Sequence, residues 1–168
     1  MQNFTSLLSG GDLRSIGESN KAVAIVLKDQ RLFGDLFKCL YSSDPVIRMR
    51  SADAVEKITL RHPELLQQYK TNLVDDVSRI QQQEVQWHFA ELVTRVKLTV
   101  ADLKQVIQVL ENNLKTSKSN IVRTFSIQAI YDLSLKYEGL GDLAKRLLIE
   151  YKDDESAAVR SRVKKLSK

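Results

Sequence analysis

Apolar residues recur along this chain at the three- and four-residue spacing of one helix face, over almost its whole length. Nowhere does the chain hold the period of two that a half-buried strand needs, and no Asn-Gly or Asp-Gly pair marks a hairpin. The pattern predicts nine helices, over 12–28, 31–41, 45–61, 63–81, 84–97, 100–116, 119–137, 140–152 and 156–167, with a short turn at 2–8. Connections of two or three residues make neighbouring helices antiparallel hairpins. Both prolines stand at helix starts, in Asp44-Pro45 and His62-Pro63. A carboxylate at position 44 can cap the helix, while Pro45 takes the first turn, where its missing N–H costs nothing.

The pattern also repeats. On the helix over 45–61 the stripe is Ile47, Ser51, Ala54, Val55 and Ile58. Moved on by 38 it becomes Val85, Phe89, Leu92, Val93 and Val96; by 75, Val122, Ser126, Ala129, Ile130 and Leu133; by 112, Val159, Val163 and Leu166. A copy 31 residues earlier, Ile16, Asn20, Val23, Ala24 and Leu27, is less regular and suits an end cap. The helices between carry their own stripes, such as Leu32, Phe33, Leu36, Phe37 and Leu40, or Leu103, Val106, Ile107, Leu110 and Leu114. One hairpin cannot bury its apolar face alone, so the pairs must stack. The expectation is a single all-α domain over 1–168, an α-solenoid of about four to five hairpins. Its units are approximately 1–28 (the N-terminal cap), 31–61, 63–97, 100–137 and 140–168.

The run Asp44-Pro45-Val46-Ile47-Arg48-x-Arg50-x-Ala52-x-Ala54-Val55-x-x-Ile58 resembles the HEAT-repeat signature. Val122-Arg123 with Ala129-Ile130-x-x-Leu133 is a second copy and Val159-Arg160 a truncated third. Gln86 departs from the pattern by replacing the usual arginine. The resemblance covers nearly the whole chain and implies an armadillo-like solenoid whose second helices line a concave face. The outward positions of those helices are then the candidate partner-binding residues: Met49 and Asp53, with Glu56 beside them, Trp87 and Glu91, and Thr124, Gln128 and Tyr131. Trp87, the single tryptophan, is an amphipathic ring of the kind that anchors a partner. The recurring Arg48, Arg123 and Arg160 suit stacking across repeats, with Asp44 or Asp53 as partners.

Charge narrows the picture. The formal net charge of +5 equals the five cations of residues 159–168, where no acid stands, so the rest of the chain is neutral. Arg160, Arg162, Lys164 and Lys165 are candidate phosphate contacts. A neutral body with a basic end is not the broad basic face of a dedicated nucleic-acid module. The apolar run Ala22–Leu27 is far short of a membrane span, and the first fifteen residues have no cationic region before an apolar one. A cytoplasmic location with a reduced, buried Cys39 is expected.

Little in the sequence indicates chemistry. The glycine pairs at 10–11 and 139/141 lack a phosphate-loop pattern and read as turns, with Asp12 and Asp142 near helix starts. His62 and His88 are 26 residues apart, with no zinc-binding spacing, and Asp75-Asp76 diverge on a helix. No cofactor or catalytic residue is expected. The reading is a non-catalytic adaptor that binds an unidentified protein on the concave face, as a monomer or weak end-to-end oligomer. The alternative is a nucleic-acid-binding, DNA-repair-related protein of the same repeat class. It would use the arginines and the basic C-terminal helix.

Overall fold

The computed structural model describes residues 3–168, and among these no strand occurs. Eleven α-helices follow one another: α1 (Phe4–Leu8), α2 (Ser19–Lys28), α3 (Phe33–Lys38), α4 (Pro45–Arg61), α5 (Glu64–Gln67), α6 (Lys70–Asp75), α7 (Gln83–Leu92), α8 (Val100–Thr116), α9 (Asn120–Ser134), α10 (Gly141–Glu150) and α11 (Ala157–Leu166). Short 3-10 turns flank α3, follow α6 and extend α7. Among the described residues no helix is long and apolar enough to cross a membrane. The Asp44 carboxylate accepts the Val46 N–H at 2.8 Å with Pro45 in the first turn, as the sequence predicts. α8 opens with a reciprocal cap: the Thr99 hydroxyl accepts from Asp102 N–H, and the Asp102 carboxylate accepts from Thr99 N–H.

Two predicted helices are broken. The helix expected from residue 12 begins at Ser19, because Gly17 has a positive φ of 48°, which a right-handed helix does not allow. Asp12 instead holds the Arg14 backbone and guanidinium in a local turn. The helix expected over 63–81 is divided into α5, α6 and a 3-10 turn. The break turns the Tyr69 ring onto Phe37, 4.6 Å between centroids and stacked, with its hydroxyl against Gly34, where a Cβ would collide.

The chain forms two compact units, residues 1–97 and 98–168. In the first, α4 is central and packs against α1, α2, α3 and α7. In the second, α9 packs against α8, α10 and α11. The repeat stripe is the core of both. Ile47, Ser51, Ala54, Val55 and Ile58 are buried, as are Val85, Phe89, Leu92, Val93 and Val96, then Val122, Ser126, Ala129, Ile130 and Leu133, then Val159 and Val163. Each large aliphatic or aromatic side chain so buried contributes about 1.5–3 kcal/mol of burial free energy.

The N-terminal copy lies one residue from its predicted register. Ile16, Asn20 and Ala24 are exposed, while Ser19, Ala22 and Val26 are buried. The offset from α4 is therefore 32, which aligns Ser19 with Ser51, Ala22 with Ala54 and Val26 with Ile58. A shift of one residue turns a helix by about 100°, enough to exchange the solvent and core faces. The asparagine that interrupts the predicted stripe is on the solvent face.

Arg50 fastens the N-terminal segment to this core. Its side chain is buried, and its Nη1 donates to the carbonyls of Leu8 (2.8 Å), Ser9 (3.1 Å) and Gly10 (2.7 Å). Its Nε donates to Ser15 O at 3.1 Å. Gly17 packs so closely that a Cβ there would stand 2.5 Å from Arg50 Cζ.

Candidate functional site

The repeat-locked arginines come first, because their geometry decides what remains free. Arg48 Nη1 donates to Ser42 O (2.7 Å) and Ser43 O (3.0 Å), six and five residues back. Arg160 Nη1 makes the same pair of bonds to Asp154 O (2.5 Å) and Glu155 O (3.0 Å). Arg123 Nε reaches back to Leu114 O at 3.2 Å. Gln86, the departure from the pattern, serves the same purpose: its Nε2 donates to Ser78 O (3.0 Å) and Ile80 O (2.7 Å). At each repeat a side-chain donor one turn into the second helix ties down carbonyls of the preceding turn. That work needs N–H donors and not a charge, so glutamine substitutes.

The expected acidic partners of these arginines are different ones. Asp44 is occupied as a cap, and Asp53 bonds elsewhere. Arg48 Nε instead donates to Gln82 Oε1 at 2.8 Å, and Gln82 Nε2 donates to Pro45 O at 2.8 Å, joining α4 to the start of α7. Arg123 pairs with Asp154, both side chains nearly buried, and its Nη1 lies 3.7 Å from the exposed Glu155.

The proposed outward positions divide into three kinds. Met49 and Thr124 are buried, 6% and 8% exposed, and are corrected from partner contacts to packing residues. The two occupy the same repeat position, 75 residues apart, and both are covered. Asp53 and Gln128 are half-buried and occupied. Asp53 accepts from Ser19 Oγ and from Lys57 Nζ (2.7 Å), and Lys57 also bonds Asn20 at 2.8 Å. Gln128 accepts from Arg162 Nη1 at 2.7 Å and donates to Asp132 at 2.7 Å. The Arg162 guanidinium also lies 5.6 Å from the Phe125 ring centroid. Glu56 pairs with Arg95, whose Nη1 donates as well to Glu56 O (2.6 Å) and Thr59 Oγ1 (2.9 Å). The bonds from Asp53 to Ser19, from Lys57 to Asn20, from Gln128 to Arg162 and from Glu56 to Arg95 join neighbouring elements within each unit, while Asp53–Lys57 and Gln128–Asp132 lie within one helix.

The third kind keeps solvent access. Trp87 is half-buried on α7, its ring 5.6 Å from the His88 ring. Glu91 is one turn further, with 27% of its side chain exposed and Oε2 3.5 Å from His88 Nδ1. Tyr131 is half-buried on α9 in the second unit. His88 is buried, and its Nδ1 has no hydrogen bond. His62 closes α4 and lies 3.2 Å from Gln30 Nε2 and 3.0 Å from Glu64 Oε1. Asp132, beside Tyr131, has its carboxyl pushed above the ordinary aspartate range by burial, against the lowering effect of Gln128, Lys136 and Arg162. Cys39 is a buried free thiol, raised by burial.

Of the phosphate candidates, Arg160 and Arg162 are engaged as described, while Lys164 and Lys165 are exposed on the last turns of α11. Among the described residues no group of three or more His, Cys, Asp or Glu is arranged to hold a metal. Comparison with protein-family models, curated proteins and solved structures finds no match. Sequence reasoning missed Arg50, Gln82 and Arg95. Arg50 stands in the quoted motif, but nothing in its spacing shows that its partners are carbonyls about forty residues earlier.

Proposed function

We propose that this chain is a HEAT-type solenoid module that binds another protein through its second helices and performs no chemistry of its own. One observation carries the reading. Many polar groups on those helices are spent on a neighbouring helix, on the preceding turn or within their own helix, yet Trp87 keeps solvent access with a carboxylate one turn away. A large ring with a polar edge, held on a rigid helix, loses little entropy on binding and suits a protein hot spot. Glu91 supplies a polar rim. Tyr131, at a different repeat position, is a half-buried ring on the second unit.

The test is affinity capture from native lysate with nuclease treatment and a salt series, comparing wild type with Trp87→Ala and Tyr131→Ala. A protein that survives nuclease and is lost with Trp87→Ala supports the reading. Capture that both variants retain refutes the assignment of these residues.

The second reading is nucleic-acid contact through the C-terminal helix. The exposed Lys164 and Lys165 favour it. Two free lysines predict a shallow salt dependence, a slope near −2 in log K against log salt for duplex DNA. A steeper slope for recovered nucleic acid would move the assignment to a larger basic surface.

A further inference from the structure

The second unit carries an open groove of about 740 Å³ between the end of α10 and the outer side of α11. Leu148, Ile149 and Val163 form its apolar part, and Lys152, Arg160 and Lys164 line it with positive charge. No carboxylate is among its lining residues. Ile149 is 70% exposed, a large aliphatic side chain held in water.

The repeat register explains what this face is. On α9 the positions 37 residues before Ser161 and Lys164 are Thr124 and Ile127, both buried. On α4 the positions 112 residues before are Met49 and Ala52, also buried. α9 packs against α11, and α4 against α7. This side of a second helix is therefore the side on which a further helix lies. On α11 the same side is exposed, and its covered residue types are replaced by Ser161 and Lys164.

We propose that the groove between α10 and α11 is a docking site for an amphipathic helix of another protein, whose apolar stripe is flanked by acidic residues. The proposal rests on the protein-binding reading above and names a surface and a partner chemistry for it. The shape of the site is that of a helix–helix seam, so a helix fits it. Acidic flanks follow from the three cations. Arg160 keeps its charge although its Nη1 bonds backbone carbonyls, and Lys152 is only loosely paired with the exposed Asp153 at 3.8 Å. A second copy facing groove to groove would place these cations against their own images, which like-charge repulsion opposes. Phosphate backbones would gain from the cations but would leave Leu148 and Ile149 uncovered.

The probe is a stapled, fluorescein-labelled helix of about 16 residues, long enough to span α11, with leucines on one stripe and glutamates on both flanks. Anisotropy titration uses the full chain. A lysine-flanked version of the peptide, a 20-base-pair duplex and vesicles of phosphatidylserine and phosphatidylcholine are tested in parallel. The glutamate-flanked helix is expected to bind with a Kd of about 10–100 µM. Ile149→Glu should weaken it about tenfold or more, and Lys164→Glu about threefold. Both side chains are exposed, so thermal unfolding should be unchanged.

The proposal is overturned by absence of binding at roughly 1 mM peptide, by equal binding of the lysine-flanked helix, or by binding that Ile149→Glu leaves intact. Preference for the duplex or the vesicles overturns it too, and assigns the cations to phosphate. If the peptide fails while a lysate protein is still captured in a Trp87-dependent way, the groove proposal alone falls. If the peptide binds through the groove and no Trp87-dependent capture occurs, the second-helix assignment alone falls.

Discussion

Replacing Arg50 by methionine tests the claim that a single buried guanidinium docks the N-terminal segment. Arg50 is 4% exposed and its four hydrogen bonds all go to carbonyl oxygens. A hydrogen bond from a charged donor contributes about 1.5–3 kcal/mol when its partner would otherwise be stranded. Only the Leu8 bond is fully buried. Ser9, Gly10 and Ser15 lie in an exposed stretch whose carbonyls rehydrate once the segment lifts. Counting one to two stranded bonds gives a loss of about 2–4 kcal/mol. At about 2–4 °C per kcal/mol for a chain this long, Tm should fall by roughly 4–16 °C.

The segment has little else to hold it. Phe4 and Leu8 are its buried anchors, and together they supply about 3–6 kcal/mol of burial. Ordering residues 9–18, which join them to α2, costs more than that, at about 1–2 kcal/mol per fixed residue. Arg50→Met should therefore also raise amide hydrogen exchange across α1. Gly17→Ala separates the contact from general damage. In the wild type it meets both a collision with the guanidinium and a positive φ of 48°, while in the Arg50→Met background the collision is relieved. The double-mutant cycle should show a coupling of about 1 kcal/mol or more. A loss below about 0.5 kcal/mol for Arg50→Met would refute the reasoning. It would mean that the cost of taking the guanidinium out of water cancels its bonds.

Three further predictions concern single positions. Ser51 and Ser126 occupy the same repeat position, but Ser51 Oγ donates to Leu36 O at 2.9 Å, whereas Ser126 Oγ is buried without a partner. Ser51→Ala should cost about 1 kcal/mol in urea unfolding, and Ser126→Ala should be neutral or stabilising. Gln86→Ala strands the carbonyls of Ser78 and Ile80 and should cost about 1–3 kcal/mol, while Gln86→Arg should largely retain the bonds. For Asp132, whose folded carboxyl is raised chiefly by burial, the stabilising contribution is complete below the ordinary aspartate range. It is lost as pH rises through the raised value. Asp132→Asn keeps the oxygen that accepts from Gln128 and should raise Tm at pH 7 while flattening that part of the Tm–pH curve. A Tm–pH curve that the substitution leaves unchanged would contradict the raised value.

Periodicity alone determined the helix class, most helix positions and the residues of the repeat stripe. Burying an amphipathic face is a local demand that spacing records. It also located α4, α8 and the Asp44-Pro45 cap, because caps act within one turn. Tertiary structure decided the rest. The register of α2 depended on which face met α4, and a one-residue difference left Ser19 inside and Asn20 outside. The destinations of Arg48, Arg50 and Arg123 depended on carbonyls and carboxylates brought near by packing, up to about forty residues away in the chain. The loss of Met49 and Thr124 as contact candidates had the same origin. A position opposite the core stripe of its own helix is exposed only if no neighbouring helix covers it, and that cover is a property of the packed molecule.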